Sequence, residues 1–466
     1  MTPRFRNAAV VVLVSMGLAN ASAQTRPVVR FEDFLQQTRA AHFEMYSGGP
    51  ETAVRDAAAF EEMRQYIFAM YQGVTVTHSF VLGTHHVDCV PIEQQPSVRL
   101  LGLKEIATPP PAPFMVTSDH SIVRASHSNS EAVPDNNVTL SGSSALCEEH
   151  TIPMMRLTLE RLARFTDLRH FLHKYPHGHN PPAEAPPDPW QHRYAITYQW
   201  VDNWGGNSTL NYWKPPVNKS EGEAFSLSQQ WYVGGTGKTL PGLQTAEVGW
   251  QVFPQQYVDD NSHLFIYWTA DDYTTTGCYN LDCPGFVQKN PNWVLGSDCL
   301  FVPPQTPKEK PCYLPNVSTP GGPQYEFTAQ FNLYAGNWWL YLGAAAGSEL
   351  TPVGYYPAAT IYGATGQLTQ YAELIEYGTE SVSATTTKFW PPQGSGQMPS
   401  NGYSKAAYQR DMFYIDLSGA GVWDSLTRYQ DSPNCYQVTG PYKSNASGWG
   451  IYFYAGGPGA PSGTGC

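Results

Sequence analysis

Charge is what this chain of 466 residues has least of. Asp, Glu, Lys and Arg together make up 14% of it, against about 25% in an average soluble protein. The 27 basic residues are outnumbered by 39 acidic ones, for a formal net charge of −12. No basic surface is left over for a phosphate backbone, so a nucleic-acid partner is not expected. Long apolar runs are equally scarce. The one near the start, Ala8 to Ala19, is shorter than the roughly 20 residues that a membrane-spanning helix needs. It follows Arg4 and Arg6 and precedes Ala21-Ser22-Ala23, the pattern of a secretory signal cleaved after Ala23. Residues 1–23 are therefore read as a signal peptide, and the mature chain as secreted, extracellular or periplasmic, with no membrane attachment after cleavage. Two catalytic signatures are missing as well: there is no His-Glu-x-x-His zinc helix and no Gly-x-Ser-x-Gly nucleophile elbow.

Aromatic residues, in contrast, reach 13%, and the chain carries 41 Gly, 39 Pro and 8 Cys. In an exported protein the cysteines are expected to be disulfides rather than metal ligands or reactive thiols. Prolines divide the chain. Pro176, Pro181, Pro182, Pro186, Pro187 and Pro189 make residues 174–189 too proline-rich for helix or central strand, and predict an exposed linker open to cleavage. Before it, residues 24–173 form a smaller α+β region. A helix is expected near Ala53 to Tyr71, and another over Pro153 to His173, where Met155, Leu157, Leu159, Leu162, Phe165, Leu168, Phe171 and Leu172 recur at helical spacing. After the linker, alternating runs at 194–200, 225–233, 245–253, 263–269, 325–334, 338–342 and 374–384 are separated by Gly, Pro, Asn and Asp. Many short strands with frequent turn signals predict one antiparallel all-β sandwich over residues 190–466.

Two of those strands carry carboxylates where alternation turns them away from the apolar face. In Thr245 to Phe253, residues Val248, Trp250 and Val252 share one side and Glu247, Gly249 and Gln251 the other. In Leu374 to Val382, Glu376 and Glu380 have the same parity, with Gly378 between them. Two carboxylates brought together on a sheet share one proton, because mutual repulsion lifts the second dissociation. One then takes a proton from water while the other polarises a carbonyl and protonates a leaving nitrogen. Such a pair titrates as a unit, so the sequence leaves open which member is the acid.

The surrounding words carry a resemblance. Phe225-Ser226-Leu227-Ser228-Gln229, Glu247-Val248-Gly249-Trp250-Gln251-Val252, Gly277-Cys278-Tyr279-Asn280-Leu281 with Cys283-Pro284-Gly285-Phe286, Gly336-Asn337-Trp338-Trp339-Leu340 and Gly354-Tyr355-Tyr356-Pro357 follow one another as in neprosin-type glutamic endopeptidases. Asp88-Cys89-Val90, Gln95-Pro96, and Cys147 with Thr151-Ile152-Pro153 are similar to the activation peptide of that family. The resemblance implies a β-sandwich peptidase with its cleft on one sheet, a water nucleophile and no cofactor or metal. Its substrates are proteins or peptides, with a preference for cleavage after proline, and its own N-terminal region is a latency-conferring inhibitor. It identifies Glu247 with the first catalytic glutamate. The second lies in a Trp-Gly-Gly-Glu pattern that here reads Tyr377-Gly378-Thr379-Glu380, so Glu380 is the expected partner and Glu376 its rival. Locality and resemblance together pair Cys89 with Cys147, Cys278 with Cys283 and Cys435 with Cys466. That leaves Cys299 with Cys312 by arithmetic.

Gln251, on the Glu247 face, is a candidate to hydrogen-bond water or substrate, and Tyr279, in the short disulfide loop, a candidate to line the cleft. His170, His173, His177 and His179 are close in sequence, but they run off a helix end into the prolines, where fixed tetrahedral geometry is hard to hold, so no metal is expected there. A secreted glycosidase is the rival enzyme, since retaining glycosidases also use two carboxylates; the Glu-x-Asp-x-x-Glu strand usual in sandwich glycosidases is absent. A carbohydrate- or surface-binding module is the rival without activity, and needs neither the N-terminal region nor the linker. Eleven of the thirteen histidines precede Trp190, so acidification is expected to charge, and loosen, the N-terminal region.

Overall fold

The computed structural model describes residues 27–110, 146–174, 190–236, 242–298, 317–343, 350–446 and 448–466. The expected signal, the prolines after Lys174 and the Cys299–Cys312 pair lie outside them. The N-terminal region runs α1 (Phe31–Ala40), α2 (Ala57–Tyr71), β1 (His78–Leu82), β2 (His85–Pro91), α3 (Pro96–Leu100), β3 (Thr151–Met155), α4 (Leu159–Leu162) and α5 (Leu168–Leu172). Asp56 starts α2 by accepting the Ala59 amide at 2.8 Å. Its Ala59, Phe60, Met63, Ile67 and Met70 are buried. The single helix expected over Pro153 to His173 is not formed. Thr151 to Met155 pair instead with β2, Cys89 opposite Pro153, and all five are buried. Beyond them Thr158 and Asp167 each cap a new short helix. An apolar pattern records which residues are buried, and here two caps and a strand partner decide how.

The remainder is an antiparallel sandwich. One sheet has the order β17 (Thr427–Gln430), β4 (Trp190–Asn203), β14 (Ala372–Ala384), β6 (Glu223–Gly234), β7 (Gln244–Val252), β8 (Ser262–Thr269), β9 (Cys278–Tyr279). The other runs β10 (Val287–Gln288), β13 (Thr351–Pro357), β12 (Asn337–Gly343), β11 (Glu326–Tyr334), β5 (Gly205–Asn211), β15 (Ala407–Ile415), β19 (Gly450–Gly456), β18 (Gln437–Ser444), with β16 (Gly421–Trp423) beside β15. All seven runs expected from alternation are strands. The space between the sheets is aromatic but not dry. Trp250 Nε1 donates to the Asn211 carbonyl at 2.9 Å, Tyr232 Oη to that of Gly206 at 2.6 Å, and Gln230 Nε2 to that of Ala329 at 2.9 Å. Each buried donor thus finds an acceptor on the opposite sheet.

Disulfides join Cys89 to Cys147, Cys278 to Cys283 and Cys435 to Cys466. No described helix is long and apolar enough to cross a membrane. The N-terminal region and the sandwich share one continuous core. Arg161 grips Asp282 with two nitrogens at 3.0 and 2.7 Å, both side chains buried. The Gln95 amide acts as a strand partner to Gln288, giving to its carbonyl and receiving its N–H, both at 2.9 Å.

Candidate active site

Register sets the floor of the site. Glu376, Trp231 and Glu247 lie side by side across β14, β6 and β7; the next row is Gly378, Gln229 and Gly249, and the one after it Glu380, Leu227 and Gln251. A period of two puts all nine on one face. The middle row is bare apart from Gln229. A Cβ on Gly249 would lie 2.5 Å from that of Gln229 and 2.1 Å from the Ser228 carbonyl oxygen, and Gly378 takes φ +154°. Glycine on both sides leaves a gap across which carboxylates from the flanking rows converge.

What brings them together is Lys174. Its Nζ lies 3.0 Å from Glu247 Oε2 and 3.0 Å from Glu380 Oε2, and 5.4 Å from the centre of the Trp231 ring. Its own amide donates to Tyr267 Oη at 3.0 Å. One ammonium group thus separates the two carboxylates. The lysine side chain is 4% exposed, Glu247 0% and Glu380 1%, so the face expected to be a cleft floor is sealed under the end of the N-terminal region. Lys174 stands at the residue where the linker was expected to begin. The prolines beyond it announce a linker, and nothing in its sequence neighbourhood distinguishes an anchored lysine from a solvated one.

Glu247 is held by three uncharged donors: Gln229 Nε2 at 2.9 Å, Thr245 Oγ1 at 2.9 Å and Tyr273 Oη at 2.7 Å. Glu380 Oε1 lies 2.6 Å from His192 Nδ1, and Tyr194 flanks it. Burial alone would raise the Glu380 carboxyl, but Lys174 and then His192 more than offset it, and hold it at about 2. Burial likewise works against the Lys174 ammonium, and the charges of Glu247 and Glu380 hold it above the ordinary lysine value. Glu376 differs. Burial, followed by repulsion from Glu247 and Glu380, pushes it up to about 7, and it forms no ion pair with Lys174 among the described residues.

Gln251 is buried on the expected face, but its Nε2 donates to Tyr257 Oη at 2.8 Å. It sits in the Glu380 row, four residues along the strand from Glu247; the amide that touches Glu247 is that of Gln229. Tyr279 is fully buried in the disulfide loop, packed edge to face on Tyr267 at 4.8 Å between ring centres. Sequence reasoning passed over Lys174, Gln229, Tyr273 and His192. Gln229 alone had a readable signal, its parity in the Phe225 to Gln229 run.

A family model described as Neprosin matches residues 222–458. Among solved structures, the chain is similar to scytalido-glutamic peptidase with a transition state analog inhibitor, at 9% identity and a TM-score of 0.31, over 57% of this chain and 98% of that one. It is also similar to SCP-B, a member of the Eqolisin family of peptidases in a complex with a tripeptide, at 9% identity and a TM-score of 0.27, over 57% and 96% of the two chains.

Proposed function

This chain belongs to the neprosin family, and on that premise we propose that it is the latent precursor of a secreted, acid-acting glutamic endopeptidase. Glu247 and Glu380 are its acid/base pair, and the region before Trp190 is its built-in inhibitor. The observation that carries this reading is the Lys174 ammonium held between the two carboxylates. It stands between them, where an attacking water would have to enter, and sets a positive charge against both carboxylates. Cleavage in the segment after Lys174 would let the lysine leave. The pair, stripped of its cation, would then take up one proton.

Water enters between the carboxylates. The ionised member takes a proton from it as it attacks the peptide carbonyl, and the protonated member hydrogen-bonds the carbonyl oxygen and then protonates the departing nitrogen. We assign the base to Glu247, because Gln229, Thr245 and Tyr273 remain to stabilise its negative charge after Lys174 has gone. Gln251 and Tyr279 belong to the substrate-facing surface in this reading. The family resemblance adds a preference for cleavage after proline, which cleavage products from a mixed peptide library would display directly.

The test uses processed enzyme. Glu247→Gln and Glu380→Gln should each lower kcat by about 10²- to 10⁴-fold with folding intact, because glutamine keeps the shape and cannot exchange the proton. Glu376→Gln is the control and should retain most activity, because the two carboxylates that Lys174 holds together are those of Glu247 and Glu380. Loss of turnover in Glu376→Gln with survival in Glu380→Gln would mean that the pair is Glu247 and Glu376; survival of all three variants would end the peptidase reading.

A further inference from the structure

Away from the carboxylate pair, the tip of the β1–β2 hairpin is pressed into the sandwich. Gly83 there has φ +58°, and a Cβ on it would lie 2.8 Å from Asp298 Oδ1. Thr84 Oγ1 donates to Asp259 Oδ2 at 3.0 Å. His85 follows, with its Nε2 3.5 Å from Asp259 Oδ2. On the sandwich side, His263 Nε2 lies 2.8 Å from Asp259 Oδ1. The ligating atoms of His85, Asp259 and His263 all fall within 4.8 Å of one another.

Two details set this cluster apart from an ordinary polar contact. His85 is 8% exposed, yet its buried Nε2 makes no hydrogen bond. His263 faces an acceptor at each ring nitrogen. Its Nδ1 is 2.8 Å from the Gly296 carbonyl oxygen and donates there, which leaves Nε2 turned to the Asp259 carboxylate. A histidine that donates one N–H to a backbone carbonyl and turns its other nitrogen to a carboxylate is oriented as metal-ligating histidines are. Tyr257 stacks on the His263 ring at 3.9 Å and 8° and fixes its plane.

We propose that His85, Asp259 and His263 bind a zinc ion that clamps the N-terminal region to the sandwich. Two imidazoles and one carboxylate suit Zn²⁺ in tetrahedral geometry, with a water in the fourth place. Bonds of about 2.0 to 2.1 Å put neighbouring ligand atoms roughly 3.3 Å apart. His85 Nε2 stands 3.5 Å from Asp259 Oδ2 and His263 Nε2 2.8 Å from Oδ1, so a turn of the carboxylate has to bring one oxygen onto the ion beside both imidazoles. His85 belongs to the N-terminal region and its two partners to the sandwich, so the site is complete only in the uncleaved chain. This goes beyond the peptidase reading and does not depend on it, because neither Glu247 nor Glu380 takes part.

The experiment uses the tagless full-length chain, freed of metal with a chelator and titrated with Zn²⁺, with metal content and the thermal midpoint as readouts. One zinc per chain is expected, with a midpoint that rises as free zinc rises. Co²⁺ in its place should give the intense visible absorption of a four-coordinate site. His85→Phe, which keeps an aromatic ring and removes the ligand, and Asp259→Asn should each weaken zinc binding by about a hundredfold or more, at or beyond the upper end of what loss of a supporting residue costs. Absence of stoichiometric zinc in the unmodified chain would overturn the proposal. Unchanged affinity in a folded His85→Phe chain would overturn it too, by placing any bound zinc on other histidines. Because metal content and melting are read, a chain without peptidase activity would still decide the matter.

Discussion

Replacing Lys174 by Met keeps the length and apolar contacts of the side chain and removes the ammonium. Each of its two contacts is 3.0 Å long, which at an effective dielectric of about 20 corresponds to roughly 5 to 6 kcal/mol of attraction. Desolvating the ions consumes several kcal/mol of that. Removing one partner of a buried ion pair costs about 3 to 5 kcal/mol, since it strands charge in the interior. The closed state of the uncleaved chain should therefore lose roughly two to four powers of ten relative to the open one. The pH dependence has a definite sign. In the unmodified chain Lys174, together with His192 of the sandwich, holds Glu380 at about 2 against an ordinary 4.5, so the share that Lys174 adds on closure is complete above the ordinary value and is lost as pH falls toward about 2. In Lys174→Met the two carboxylates face each other without a cation, closure requires uptake of a proton, and closure weakens as pH rises. The defect should thus be larger at pH 7 than at pH 4. The assay is cleavage of an internally quenched peptide by chains verified as uncleaved by mass spectrometry, normalised to processed enzyme at each pH. Uncleaved Lys174→Met should show a large rise in relative rate at pH 7, and Lys174→Arg, which retains the charge, a much smaller one. If the uncleaved Met variant is as inert as the parent at both pH values, the ammonium is not what keeps the site shut.

The sandwich was legible because its strands alternate. A period of two survives insertion of loops, and the parity of Glu247, Gly249 and Gln251 could be read without knowing a single neighbour. Strand β5 escaped notice because Gly205-Gly206-Asn207-Ser208-Thr209-Leu210-Asn211 has no apolar face. It is a central strand whose buried polar groups are satisfied by others, Thr209 Oγ1 by Thr328 Oγ1 at 2.7 Å and Ser208 Oγ by Gln409 at 2.9 Å. Half of the candidate site was hidden for a different reason. Parity states which way a side chain points from its own strand, and Glu247 and Glu380 could be found that way. It says nothing about what arrives from elsewhere, and Lys174 lies 73 residues before the glutamate it touches. His192 and Tyr273 likewise reach the carboxylates from a neighbouring strand and a loop. Of the four histidines close in sequence, His177 and His179 lie outside the described residues, and His170 and His173 are not part of the His85, Asp259 and His263 cluster, whose members are far apart in sequence and meet only at the interface between the N-terminal region and the sandwich.

Two further expectations concern how the N-terminal region lets go. Burial, only partly offset by the Thr275 backbone, lowers the His173 imidazole below its ordinary value; Arg169, Asp271 and His170 also face it. A histidine whose value is lowered by closure destabilises the closed form as pH falls from its ordinary value of about 6.5 toward the lowered one. His173→Gln should therefore move the pH at which the uncleaved chain opens, read by limited proteolysis, to lower values, and an unchanged midpoint would remove His173 from the account. Arg161 is the stronger anchor. Its bidentate pair with Asp282 is buried on both sides, and Arg161→Met leaves the carboxylate without its cation, at a cost of about 3 to 5 kcal/mol to the uncleaved chain in chemical denaturation. Arg161→Met combined with Asp282→Leu should recover much of that loss, because a buried ion pair replaced as a unit by apolar groups is close to neutral. The double variant separates two ideas that the single one cannot. If it is as unstable as Arg161→Met, then packing around Arg161, including the Phe171 ring 5.4 Å from its guanidinium, holds the regions together, and the charge pair contributes only its geometry.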